Sequence, residues 1–188
     1  WVRGGGRLFW TCAAGSMNEF GEQVGGLADV FGIAEAPVVE LQPGNYRTRG
    51  KLYAIPHLDE VAGFGVIGMR MVVRVEDGQV VERFKDGSPA VVENRYGRGV
   101  ARCVATTPGV SYAKDAIFVP AELKDKWPSS QRRFINAMAH ETGIRRSVRL
   151  SEDIVEAGLY VKDKSAAALV LANFRYEDLK GLEVEVDL

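Results

Sequence analysis

Cys12 ends the apolar run RLFWTC, and small residues and a turn follow it in TCAAGSMNEFGE. A reactive thiol can sit at the end of a buried strand, on a sharp turn that leads into a helix. Such a turn needs small side chains two residues before and two residues after the nucleophile, because it crowds them. Ala14 meets this requirement, but Trp10 does not. The sequence therefore favours Cys12 as a small apolar residue of a buried strand, where free cysteine usually lies.

A catalytic thiol also needs a base, and the chain has two histidines. His57 has an acid two residues on, in HLD, which is loosely like the H-x-E of class I glutaminases. His140 precedes Glu141 at the end of a clear helical pattern, where histidine more often complements the helix dipole. Neither is a convincing partner, so a thiol hydrolase that uses Cys12 remains a secondary hypothesis.

The second cysteine, Cys103, lies in the middle of the strand pattern VARCVAT and is interpreted as a core residue. Two cysteines are too few for a disulfide framework, and their spacing is not that of a zinc site. A single bridge between Cys12 and Cys103 stays open. The redox compartment therefore stays open as well.

The sequence shows no motif for binding a nucleotide or for hydrolysing a glycoside. The glycines of GGG and NRYGRG, with Arg95 and Arg98, could cradle an anion, but neither a Walker loop nor a G-x-G-x-x-G is present. A glycosidase needs two facing carboxylates, and no pair stands out. The candidate carboxylates, Glu19, Glu22, Asp29, Asp59 and Glu60, are scattered along the sequence. We predict no catalytic, cofactor-binding or metal-binding residue in this chain.

Charge and hydropathy restrict the partners. The formal net charge is -1 with no basic stripe, so a nucleic-acid partner is not expected. The longest apolar runs, such as AAALVLANF, are too short to span a membrane. The three tryptophans, Trp1, Trp10 and Trp127, form no local aromatic platform. A sugar-binding module in the terminal β unit is a further alternative hypothesis.

Periodicity predicts a helix end and a buried strand first, then a short helix that Gly32 ends. Two hairpins are expected next, one turning at Asp77 and Gly78 and one across NRYGRG. Residues 108–128 look like a loop, and PSSQRRFINAMAHETG predicts the clearest helix. After it, SVRL, DIVEAGLYV, SAAALVLANF and LEVEVDL all indicate strands. We therefore predict an α/β domain over residues 1–145 and a small antiparallel β domain over residues 146–188.

The order of these motifs resembles the trimerisation domain of family 42 β-galactosidases. The matching pieces in the first third are Gly5-Gly6, residues 8–11, Ala14-Gly15, Asn18-Glu19, Gly25-Gly26 and residues 27–33. In the hairpin they are Gly87, Pro89, Ala90, Asn94, Gly97 and Gly99, and in the tail Asn173. Cys12 replaces a residue that is usually aromatic or aliphatic, and residues 51–75 and 112–130 match the family poorly.

The resemblance implies a partial flavodoxin-like sheet, of the class I glutamine amidotransferase type, without its own active site. Its implied role is to pack subunits into a trimer and to help wall a neighbour's active site, while the catalytic glutamates lie in an upstream barrel. A flavodoxin-type sheet needs earlier strand–helix units, so the chain is expected to begin midway through that domain. The expected partners are other domains of the same polypeptide and further copies of it, without a cofactor.

Overall fold

In a computed structural model, the chain is mostly β-sheet with a few short helices. The structure describes residues 1–12, 18–22, 26–34, 38–41, 59–113, 127–163, 165–175 and 177–187. The strands are β1 Arg7–Thr11, β2 Val38–Leu41, β3 Asp59–Val61, β4 Phe64–Val66, β5 Met69–Val72, β6 Gln79–Arg83, β7 Pro89–Tyr96, β8 Gly99–Val104, β9 Val148–Leu150, β10 Val155–Lys162, β11 Ala166–Asn173 and β12 Val184–Val186. The helices are a 3-10 turn at Val2–Gly4, α1 Ala28–Phe31, α2 Pro108–Ala113, α3 Ser129–Ile135 and α4 Ala137–His140.

A four-stranded mixed sheet lies at the centre, in the order β1-β8-β7-β6. β1 runs parallel to β8, and the other neighbours are antiparallel. β7 and β8 form the hairpin that the sequence predicted, closed by a turn in which Gly97 has φ 65°. Ala101, Cys103 and Val104 of β8 are fully buried, because this strand has neighbours on both edges and helices over the sheet.

One face of this sheet is covered by α1. Trp10 stacks on Phe31 with ring centroids 4.8 Å apart. The side-chain amide of Asn94 donates to the carbonyls of Asp29 and Val30 at 3.2 and 3.0 Å, which satisfies the end of this short helix. Gly32 ends α1 in the left-handed conformation with φ 65°, as the sequence predicted.

The opposite face is covered by α3 and α4. Phe134 of α3 meets Phe9 of β1 edge-on at 6.0 Å and Phe64 of β4 at 5.6 Å. Phe9 and Trp10 are consecutive on β1, so they point to opposite faces of the sheet. The sheet is therefore the middle layer of three.

The remaining strands form four two-stranded antiparallel sheets, β2–β5, β3–β4, β10–β11 and β9–β12. The β10–β11 hairpin is the longest, with eight paired positions on each strand. The four strand predictions for the C-terminal region are confirmed by β9 to β12. The boundary near residue 145, between residues 1–145 and 146–188, stays a prediction.

Three local predictions were wrong in part. Asp77 and Gly78 do not join a pair of strands, because β5 pairs with β2 while β6 pairs with β7. Instead, the backbone N–H of Gly78 donates to the carbonyl of Gly32, so this turn docks on the end of α1. Residues 108–128 were predicted to form a loop, but the helix α2 begins at Pro108. Proline suits the first position of a helix, because the N–H that it lacks would have no partner there. The long helix is interrupted at Asn136.

The α/β expectation holds only in a coarser form. The described residues are rich in strands, in mixed and antiparallel sheets, and β1–β8 is the parallel pair among the described strands. A flavodoxin-like sheet is mainly parallel, so that finer prediction is not confirmed. The predicted segment GKLYAIP lies outside the described residues.

We predict that Gly32→Ala destabilises the protein far more than Gly143→Ala. Both glycines have φ near +70° (65° and 71°), so both changes carry the same left-handed strain. A Cβ at Gly32 would lie 2.3 Å from the backbone nitrogen of Gly78, whereas nothing lies within 4 Å of one at Gly143. The expected losses of unfolding free energy are about 3 kcal/mol and about 1 to 2 kcal/mol. Urea denaturation measures both, and equal losses would contradict the close approach.

Candidate functional site

The two cysteines lie inside the central sheet. Cys12 follows β1, and its backbone N–H donates to the carbonyl of Thr106 at 3.1 Å. In the parallel register, Trp10 is opposite Cys103, so the two cysteines are offset by two residues on neighbouring strands. That offset separates their Cα atoms by about 8 Å, which is beyond the reach of a disulfide. Both thiols are free.

The surroundings of Cys12 do not activate its thiol. The side chain is buried, and desolvation raises the pKa of Cys12 to about 11. Burial raises the pKa of Cys103 as well, with a smaller contribution from the nearby Cys12. A nucleophilic cysteine needs a pKa lowered by a cation or a helix N-terminus. His140 lies at the end of α4, on the other side of the sheet, and His57 lies outside the described residues.

Asp59, the buried acid among the described residues, serves the fold. Asp59 accepts hydrogen bonds from the backbone N–H groups of Glu60 and Lys85, at 2.7 and 3.3 Å, and lies 3.9 Å from the guanidinium of Arg70. Arg70 also donates to Asp86 and Ser88 and stacks over the Phe84 ring. A hydrogen bond from Ser88, followed by that from Arg70, lowers the pKa of Asp86. These contacts fasten β5 to the turn after β6.

Within the described residues, no three side chains of the metal-binding types come together as a cation site. No helix that these residues form is long and apolar enough to span a lipid bilayer.

A groove opens between α3–α4 and the β10–β11 hairpin, with a volume of about 790 Å³. Its helix wall, formed by α3, α4 and the segment that leads to Arg146, carries arginines. Arg132 is paired with Asp153 at 2.8 Å, and Glu152, which also lines the groove, is paired with Arg175. Arg133 and Arg146 have no ion pair within the described part of the chain, so this wall presents positive charge that the described residues do not neutralise.

The opposite wall of the groove is aliphatic. Val155, Ala157, Leu159 and Val161 alternate along β10, so their side chains share one face of the hairpin. The register places Leu169 and Leu171 of β11 beside them on that face. Val161 is 57% exposed and Leu171 is 41% exposed, so water reaches much of this apolar surface.

Four charged side chains hold the helix wall of the groove on the sheet. Glu141, which caps the end of α4, accepts hydrogen bonds from Arg7 and Arg102, both at 2.9 Å. Arg102 donates further to Glu93 at 2.7 and 3.0 Å. Arg102 is largely buried, with 14% of its side chain exposed, so the network is shielded from water better than a typical surface ion pair.

The turn of residues 18–22, from the stretch that raised the question of Cys12, is a second surface feature. Asn18 accepts from the N–H groups of Phe20 and Glu22 at 3.0 and 2.9 Å and donates to the Glu22 carboxylate at 2.8 Å. Phe20 is 78% exposed at the tip of this turn. Glu19 is also exposed and has no ion pair with any residue that the structure describes.

The sequence analysis missed the groove. Its signal was present in the two Arg-Arg pairs, 132–133 and 145–146, that flank a helix end and precede an alternating apolar strand. Alternation alone predicted a strand with one buried face, and it did not indicate that this face would line an open groove.

Solved structures that share this fold are glycoside hydrolases. The chain aligns over its whole length with Gan42B, a GH42 β-galactosidase from G. stearothermophilus, at 18% identity and a TM-score of 0.65, covering 24% of that chain. The cold-adapted β-galactosidase from Rahnella sp. R3 aligns with 92% of this chain and 24% of its own, at 22% identity and a TM-score of 0.62. The β-galactosidase from Bacillus circulans sp. alkalophilus aligns with 98% of this chain and 28% of its own, at 16% identity and a TM-score of 0.61.

These matches establish the fold of a region of family 42 β-galactosidases, and the chain spans about a quarter of the length of the structures that it matches. No protein-family model matches the sequence. No curated protein matches it either.

We predict that iodoacetamide labels Cys12 slowly in the folded protein, at pH 7 and still at pH 9. The raised pKa keeps the thiol neutral at both values, and the side chain is buried. The labelling rate, followed by mass spectrometry, should rise to that of a free thiol in denaturant. Rapid labelling of the native protein near neutral pH would contradict the account.

We expect Glu141→Gln to lower the free energy of unfolding by about 1 kcal/mol, because Arg7 and Arg102 lose a shared carboxylate. The loss should shrink in 1 M salt, which screens the charges of the parent protein. Glu156→Gln, an exposed change on the outer face of the hairpin, is the matched control and should have no measurable effect. Equal stability of both variants in urea denaturation would disprove the anchoring role.

Proposed function

We propose that this chain is a non-catalytic assembly region of a β-galactosidase-like glycoside hydrolase. The observation that carries the proposal is the alignment of the whole chain with a quarter of a family 42 β-galactosidase. Among the described residues, the two carboxylates that line the groove, Glu152 and Asp153, are paired with Arg175 and Arg132, and the thiols are buried. The catalytic glutamates are assigned to a barrel elsewhere in the same polypeptide.

The proposal extends to the finer fold. A sheet with helices on both faces and a parallel β1–β8 pair supports a partial flavodoxin-like domain of the class I glutamine amidotransferase type. We place that domain in residues 1–145 and a small antiparallel β domain in residues 146–188. The antiparallel pairs β9–β12 and β10–β11 support this division.

The assembly role is supported by the surface. The groove carries two arginines, Arg133 and Arg146, that no described residue pairs, beside an exposed aliphatic wall, and large exposed apolar surfaces often mark interaction sites. The partners proposed are other domains of the same polypeptide and further copies of it, packed as a trimer. The groove's strand wall is aliphatic, so it lacks the aromatic surface on which a sugar ring would stack.

We expect the product of the complete reading frame that encodes these 188 residues to be a trimer. Light scattering coupled to size-exclusion chromatography, over a dilution series, gives the mass directly. The trimer fraction should also hydrolyse a chromogenic β-galactoside. A monomer at all concentrations would refute the assembly role, and a trimer without glycosidase activity would refute the enzyme class.

A further inference from the structure

The groove between α3–α4 and β10–β11 has two features that a bound partner would satisfy. Arg133 and Arg146 place positive charge along one wall and form no ion pair with a described residue, while the two carboxylates that line the groove, Glu152 and Asp153, are paired with Arg175 and Arg132. The facing wall exposes aliphatic side chains, and a two-stranded hairpin is only marginally stable in water unless its apolar face is covered. An occupant that fits must therefore carry negative charge next to an apolar side chain.

The turn of residues 18–22 has both properties. Phe20 is 78% exposed and lies in sequence between Glu19 and Glu22. The Glu22 carboxylate accepts from the Asn18 side-chain amide, and Glu19 has no ion pair with a described residue. The Asn18 side chain bonds to the backbone of Phe20 and Glu22, and the Asn18 N–H donates to the Glu22 carbonyl at 2.9 Å. The turn is therefore shaped before it binds anything, which reduces the entropy lost on association.

The turn does not fill the groove of its own chain, because Phe20 is 78% exposed. The groove is built on α3 and α4, which cover the Phe9 face of the sheet. All hydrogen bonds of the turn within the described residues are internal to it. A contact in which the turn of one copy meets the groove of the next is heterologous, and such contacts form a closed ring when the rotation between copies closes.

We infer that the groove binds the 18–22 turn of a second copy of this chain. Phe20 packs on the aliphatic wall of β10, and Glu19 lies against the arginines of the helix wall. A standard interface buries about 1,600 Å², more than one turn supplies, so the turn is the aromatic anchor of a larger interface. The inference rests on the proposed assembly role, since it identifies the surfaces that join the subunits.

Charge reversal tests the contact in the product of the complete reading frame. The groove variant carries Arg133→Glu and Arg146→Glu, the turn variant carries Glu19→Arg, and the combined variant carries all three. Each of the first two should weaken subunit association about tenfold or more, because like charges then face each other. The combined variant should regain most of the association, because its charges are opposite again. Phe20→Ala should weaken association without any charge change.

Matched controls use the outer face of the β10–β11 hairpin, away from the groove. Glu156→Arg and Lys162→Glu reverse exposed charges there and should leave the oligomer unchanged. Association is measured by light scattering over a dilution series, and the folding of each variant is checked by thermal denaturation. Recovery in the combined variant also shows that the single-surface variants failed by repulsion, not by misfolding.

The other outcomes overturn the inference in distinguishable ways. If the parent protein is a monomer, both the assembly role and this contact are wrong. If the parent is an oligomer and both single-surface variants remain so, the contact is wrong and the assembly role stands. If the groove variant dissociates while the turn variant does not, another segment or partner fills the groove.

Discussion

The parallel pairing of β1 with β8 determines which surface each part of the chain covers. It fixes Phe9 and Trp10, neighbours in sequence, on opposite faces of the central sheet. Trp10 packs against Phe31 of α1, and Phe9 packs against Phe134 of α3. A slip of one residue in this pairing would exchange the two faces and bury charge where the aromatic contacts now lie.

The same alternation places charge where it is useful. Arg7 and Arg102 share the Phe9 face, and both reach Glu141 at the end of α4. This contact holds the helices against the sheet, so that their basic side stands over the β10–β11 hairpin. The groove lies between these helices and the hairpin, and it leaves aliphatic surface exposed beside arginines that no described residue pairs.

The sequence predicted correctly those features of the fold that depend on residues close to each other in the chain. The β7–β8 hairpin follows from two apolar runs around a glycine turn, and the end of α1 follows from Gly32. Asp77-Gly78 was wrongly predicted to join paired strands. Neither residue takes the positive φ that a two-residue Asp-Gly hairpin needs, and the N–H of Gly78 donates to the carbonyl of Gly32 instead. That choice depends on Gly32, about 45 residues away, and no local pattern reports it. The groove was missed for the same reason, since its two walls come from separate segments.

The resemblance to family 42 β-galactosidases rests on soft motifs in a fixed order, and the fold agrees with them across the whole chain. The assembly role that we propose is a claim about the surfaces of this region. A structure of the assembled product of the complete reading frame, by cryo-electron microscopy, tests it most directly. Our account predicts a trimer in which a neighbouring subunit covers the groove between α4 and β10. A groove open to solvent, with this region remote from every subunit contact, would contradict it.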